Sequence, residues 1–136
     1  MRTLFLVILL LIPFSITPAD HEPQITGSLI KAMIQVESSG RAGVVSSRGA
    51  VGLMQVRPAV WKRELQKERI IKARRCLFDP DKNINAGVYI LAKYLKATGG
   101  DMRRALEKYS GGARGYYGKV IKAQNHNLKK GGTDDR

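Results

Sequence analysis

One carboxyl in this 136-residue chain stands where local rules would not place it. Glu37 follows Ile34, Met33 and Ile30 by three, four and seven residues, which puts it on their apolar helix face. It also falls in the last turn of that predicted helix, where the macrodipole disfavours an anion. Burial and dipole both raise a carboxyl's pKa and keep its proton near neutral pH. A carboxyl held that way is a candidate general acid. The competing arrangement swings Glu37 out to solvent beside Arg41, as charged side chains at helix ends often do.

No other acid has such a setting. Glu64 and Glu68 lie on a charged helix, Asp79 and Asp101 read as helix caps, and Glu107 adjoins Lys108. One cysteine, Cys76, with His21 and His126 gives no zinc, haem or iron–sulfur spacing, so no metal or cofactor is expected. Cys76 has no partner for an intrachain disulfide and reads as a small buried apolar residue, with an intermolecular pair as the alternative.

The elements that must position Glu37 read as helices almost throughout. Leu29, Ile30, Met33 and Ile34 form one face of the first, with Thr26 or Ser28 as cap and Ser38-Ser39-Gly40 as its end. Residues 41–52 are rich in Ser and Gly and read as a loop. Pro58 opens a second helix with Val60, Trp61 and Leu65. Asp79-Pro80 opens the clearest one, in which Ile84, Val88, Leu91 and Leu95 recur until Gly99-Gly100. Asp101 caps a short helix through Ala105, Leu106 and Tyr109, Gly111-Gly112 breaks it, and helical spacing resumes over 116–123. The polar tail, 125–136, is expected to fray, and the charge run over 62–75 to be a solvated helix face. No alternating strand pattern is visible, so the fold is expected to be all-α, a compact domain of about five or six helices.

Residues 1–19 read as a cleavable export signal: Arg2, an apolar run over 4–12, then Thr17 and Ala19. The run falls short of the ~20 residues that span a bilayer, and an uncleaved anchor is the alternative. No cysteine follows it to carry a lipid. Residues 20–136 then form one expected domain with its core at about 25–123. Lys and Arg number 24 against 11 Asp and Glu, a net charge of +13 that favours a polyanionic partner: nucleic acid, an anionic envelope surface or an acidic wall polymer. The basic residues are not interleaved with aromatics, and with the export signal this argues against nucleic acid.

Beyond these patterns, Glu37-Ser38 is followed by Ser46-Ser47-Arg48-Gly49-Ala50-Val51-Gly52-Leu53-Met54-Gln55, then Asn83-Ile84 with Gly87 and Leu91. Ala105-Leu106, Tyr109-Ser110-Gly111-Gly112 and Tyr116, four residues before Val120, complete the series. In these pieces the sequence resembles the peptidoglycan lytic transglycosylases with the soluble-lytic-transglycosylase, goose-lysozyme-like catalytic domain. The resemblance spans about 25–123 and implies a lysozyme-like fold. It makes Glu37 the catalytic glutamate, with Ser38 holding the site and Ser46 hydrogen-bonding near the acid. Met54 and Gln55 would line the sugar groove, Tyr109 would bring its hydroxyl to the glutamate, and Tyr116 would be a supporting aromatic. Plainer readings stand beside these: Leu53, Met54 and Tyr109 as core, Gly49 and Gly52 as backbone devices, Asn83 as a tie between loops, Trp61 as core or groove wall. Two positions depart from the family pattern. Ser110-Gly111-Gly112 stands where Asn-Ala-Gly is usual, which shortens the polar reach at that corner, and Ile90 replaces an aromatic before Leu91.

Most glycosidases use two carboxylates, whereas the family's reaction needs one. The resemblance thus implies cleavage between N-acetylmuramic acid and N-acetylglucosamine, with closure of a 1,6-anhydro ring and no cofactor. Its expected partner is the peptidoglycan strand, and the enzyme is expected to be a monomer, exported to the periplasm, envelope or medium. Two alternatives stay open: a hydrolase like goose-type lysozyme, and a cationic wall-binding module with a decayed site.

Overall fold

The computed structural model describes residues 24–131. The expected export segment, 1–19, lies outside them. Five α-helices follow in order: α1 Gly27–Ser38, α2 Pro58–Lys67, α3 Pro80–Ala97, α4 Met102–Tyr109 and α5 Tyr116–Gly131, with a 3-10 helix, Arg74–Phe78, before α3. The described chain is all-α, as the sequence implies. Its only β features are isolated bridges from Val51 to Val45 and Val56.

The helix boundaries follow from capping chemistry. The Thr26 hydroxyl accepts from the Leu29 amide, and the Asp79 and Asp101 carboxylates accept from Lys82 and Arg104 amides at 3.0 Å. Ser39 ends α1 in the left-handed region at φ 51°, with its N–H on the Gln35 carbonyl. The last helical residue, Ser38, therefore comes directly after Glu37.

Two apolar clusters hold the elements together. α1 packs along α5 and α4 meets both α3 and α5, enclosing Met33, Met54, Leu91, Leu106 and Val120 without solvent exposure. The second cluster gathers Val51, Leu65, Leu77 and Ile90 beneath α2 and the 3-10 helix. Burying each such Leu, Ile or Met contributes about 1.5–3 kcal/mol. α3 serves both clusters, so its buried residues, Asn83, Ala86, Gly87, Ile90 and Leu91, form a stripe displaced from the predicted one. Ile90, which stands where the family favours an aromatic, is packed into the second cluster.

Asn83 ties the loops. Its side chain donates to the Val51 and Leu77 carbonyls at 2.8 and 2.7 Å and accepts from the Met54 amide at 2.8 Å. Gly52 passes so close that a Cβ would lie 2.3 Å from the Asn83 amide nitrogen, at a φ of 79°.

Three expectations fail in detail. The tail does not fray at residue 125, because α5 continues to Gly131, its polar residues lying on solvated turns of a helix seated on α1. The charged face over 62–75 is interrupted: α2 ends at Lys67, and Arg69 takes a φ of 59°. Cys76 is half-buried at the edge of the second cluster rather than enclosed. No helix among the described residues is long and apolar enough to cross a membrane.

Candidate active site

Glu37 projects from the end of α1 toward the start of α5. It is half-buried, and its Oε1 accepts a 2.5 Å hydrogen bond from the Tyr116 hydroxyl. Burial raises the Glu37 pKa above the ordinary carboxylate range, and the Tyr116 hydrogen bond partly offsets that rise. Tyr116 is buried itself. Burial first, then the Glu37 charge, pushes its hydroxyl far up, so it stays neutral and donates.

Two cavities open on either side of this carboxyl. One, of about 210 Å³, is lined by Ser46, Arg48, Gln55, Arg57 and Tyr109 together with Glu37 and Ser110. The other, of about 230 Å³, is lined by Val36, Arg114, Tyr116 and Lys119, again with Glu37 and Ser110. Glu37 is the sole carboxylate on either wall, and four of the remaining lining residues are cations. Glu64, the acid bound to Lys93 and to the Tyr89 hydroxyl, lines neither. Among the described residues no cluster of His, Cys, Asp and Glu is suited to a metal.

Of the residues picked from sequence, Glu37, Ser46, Gln55, Tyr109, Ser110 and Tyr116 meet around these cavities. Ser46 shapes its turn by accepting from the Ala50 amide at 3.0 Å. Gln55, at a φ of 49°, donates to the Val44 and Gly52 carbonyls and fixes the loop. The Ser110 hydroxyl donates to the Glu107 carbonyl and accepts from the Ala113 amide, which folds the α4–α5 connection without a longer amide side chain.

One assignment changes and two are narrowed. Met54 does not line a groove: it is fully buried, its side chain pressed on Gly87, where a Cβ would lie 2.4 Å from the sulfur. The tyrosine hydrogen-bonded to Glu37 is Tyr116, while the Tyr109 hydroxyl donates to the Met54 carbonyl at 2.8 Å and lies near enough on the same cavity wall to feel the Glu37 charge. Ser38 is buried and turns back to the Ile34 carbonyl at 3.1 Å, so it supports the helix end and lines neither cavity. Sequence reasoning passed over Arg48, Arg57, Arg114 and Lys119. Their signal was present but unspecific: Arg48 sits inside a matched motif, Arg57 and Arg114 lie in loops beside one, and Lys119 is in the first turn of α5.

An all-α lysozyme-like domain with one protonatable carboxyl between two cationic cavities defines the class of site. Known proteins narrow it. Residues 14–131 match the transglycosylase SLT domain model. The chain is 33% identical over 120 residues to a transglycosylase of Enterobacteria phage PRD1, covering 82% of this chain and 42% of that one. It is 36% identical over 113 residues to membrane-bound lytic murein transglycosylase C of Photorhabdus laumondii, covering 76% and 30%. The 70 kDa soluble lytic transglycosylase of Escherichia coli superposes with a TM-score of 0.59 at 26% identity, over 74% of this chain and 17% of that one. The chain belongs to the transglycosylase SLT domain family, and it spans less than half the length of these relatives.

Proposed function

We propose that this protein is an exported lytic transglycosylase that cleaves peptidoglycan strands between N-acetylmuramic acid and N-acetylglucosamine, with Glu37 as its single acid and base. The observation that carries this reading is a half-buried carboxyl of raised pKa, backed by Tyr116, in a cleft walled by no second carboxylate. Glu37 donates its proton to the glycosidic oxygen as the bond from the muramyl C1 breaks. The substrate's N-acetyl group stabilises the oxocarbenium-like centre. The Tyr116 hydroxyl, already at Oε1, stabilises the carboxylate left behind. That carboxylate then takes the proton of the muramyl C6 hydroxyl as its oxygen bonds to C1, which closes the 1,6-anhydro ring and consumes no water.

The test is mass spectrometry of muropeptides released by the wild type and by Glu37→Gln. Anhydromuramyl ends from the wild type alone support the reading. Reducing ends instead make the enzyme a hydrolase, and lysis that survives Glu37→Gln makes it a cationic wall-binding module. With four cations around the cleft, turnover is expected to fall steeply with ionic strength.

A further inference from the structure

The outer side of α5 and the neighbouring side of α4 form a trough of about 770 Å³ that shares no residue with either cavity at Glu37. Arg103 of α4 and Lys122 and Lys129 of α5 line it, with Glu107 as the one acid. None of the three cations is ion-paired to a described residue. The Arg103 guanidinium lies 4.8 Å from the centre of the Tyr117 ring, which braces it at the trough wall. The trough is open at Gly118, where an added Cβ would meet no atom within 4 Å. Beside the cations runs an apolar stripe. Tyr117, Ile121 and Leu128 recur at intervals of four and seven residues, which sets them along one side of the helix. Tyr117 and Ile121 line the trough, and Leu128 is 58% exposed and belongs to neither apolar cluster.

We infer that the outer side of α5 is a docking surface for an anionic lipid bilayer. Arg103, Lys122 and Lys129 meet the phosphate headgroups, while Tyr117, Ile121 and Leu128 enter the boundary between headgroups and acyl chains. A helix whose apolar stripe includes an aromatic and is flanked by lysines has the composition of one that lies in a membrane interface. Lysine stems can cover apolar surface while their ammonium groups reach the phosphates. A polyanion in solution would engage the cations and leave Leu128 in water, whereas a bilayer engages both. Because other residues line the cleft, a docked molecule keeps Glu37 accessible to a strand. The inference does not depend on the role of Glu37.

The test is sedimentation of the purified protein with vesicles of phosphatidylcholine alone, or with about one-third phosphatidylglycerol. The protein is expected to partition onto the anionic vesicles and not onto the neutral ones. A cation near an anionic surface contributes about fivefold, so Lys122→Gln/Lys129→Gln should weaken partitioning about 25-fold. Leu128→Ser should weaken it about tenfold by removing an inserted side chain. Lys62→Gln/Lys67→Gln removes the same charge from exposed positions on α2, which packs on the other cluster, and should cost less than about threefold. Circular dichroism checks that each variant is folded. An equal loss in the α2 pair overturns the proposal, since net charge alone would then govern binding. Unchanged binding by Leu128→Ser, or no binding to anionic vesicles by the wild type, overturns it too. Release from the vesicles by excess glycerol phosphate would identify a free phosphate as the ligand, and binding to polyglutamate without binding to vesicles would identify an acidic polypeptide. Either result refutes the bilayer. Vesicles contain no glycan, so the outcome stands whether or not Glu37 proves to be the catalytic acid.

Discussion

Replacing Tyr116 by phenylalanine removes one oxygen, and with it the donor 2.5 Å from Glu37 Oε1. The ring is 5% exposed, so little water can take the hydroxyl's place. A hydrogen bond to a charged group contributes about 1.5–3 kcal/mol. Here that energy favours the carboxylate over the acid, because the acid form draws less from the same donor. Its loss leaves the effect of burial unopposed and lowers the acid dissociation constant of Glu37 about 10- to 100-fold, at 1.36 kcal/mol per factor of ten. Since the acid form begins the proposed reaction, the alkaline limb of the pH–rate profile should move upward by about one pH unit or more. Carbon NMR of the Glu37 carboxyl follows the same change without any turnover. A carboxyl titration that stays in place, or moves toward lower pH, in Tyr116→Phe refutes the reasoning, because the hydrogen bond would then not stabilise the charged form.

Three further outcomes follow from described contacts. Glu37→Gln should lower turnover about 10²- to 10⁴-fold, and it should also raise the melting temperature at pH 8 but not at pH 4. The sign comes from the raised folded-state pKa: below about 4.3 both states hold the proton, and as pH rises through the folded value the unfolded chain has already released it, so stability is lost. Asn83→Ala should destabilise the fold by about 3–5 kcal/mol in urea denaturation, because three buried backbone groups lose their partner. Gly87→Ala should cost about 1–3 kcal/mol by forcing Met54 off its seat, again read from the urea midpoint.

What the sequence revealed, and what it hid, divide along a physical line. Caps are local chemistry, so Asp79 and Asp101 were readable from neighbouring residues alone, as was the placement of Glu37 on an apolar face near a helix end, and the first cap was narrowed to Thr26 or Ser28. The split between Tyr109 and Tyr116 was not readable. Both are aromatic, both follow matched motifs, and which hydroxyl reaches Glu37 depends on how α5 lies along α1. Met54 misled for a similar reason. Its neighbour Gln55 does face the cleft, but the turn sends Met54 inward to Gly87, a contact between residues 33 apart in sequence. The stripe on α3 was displaced because a helix that serves two cores has no single polar face, and periodicity presumes one.

The peptide units of Met54 are gripped from two helices, its amide by Asn83 of α3 and its carbonyl by Tyr109 of α4. One bank of the cleft is therefore bolted to the helical frame and must travel with it. The opposite bank, 111–115, is exposed and carries glycines at 111, 112 and 115, all at positive φ. On the proposed reading, strands of differing thickness should be met by yielding in 111–115, so that shape tolerance and acid placement fall to different stretches of chain. Substitutions that stiffen 111–115 should narrow the range of glycans accepted while leaving the proton-transfer geometry at Glu37 where it is.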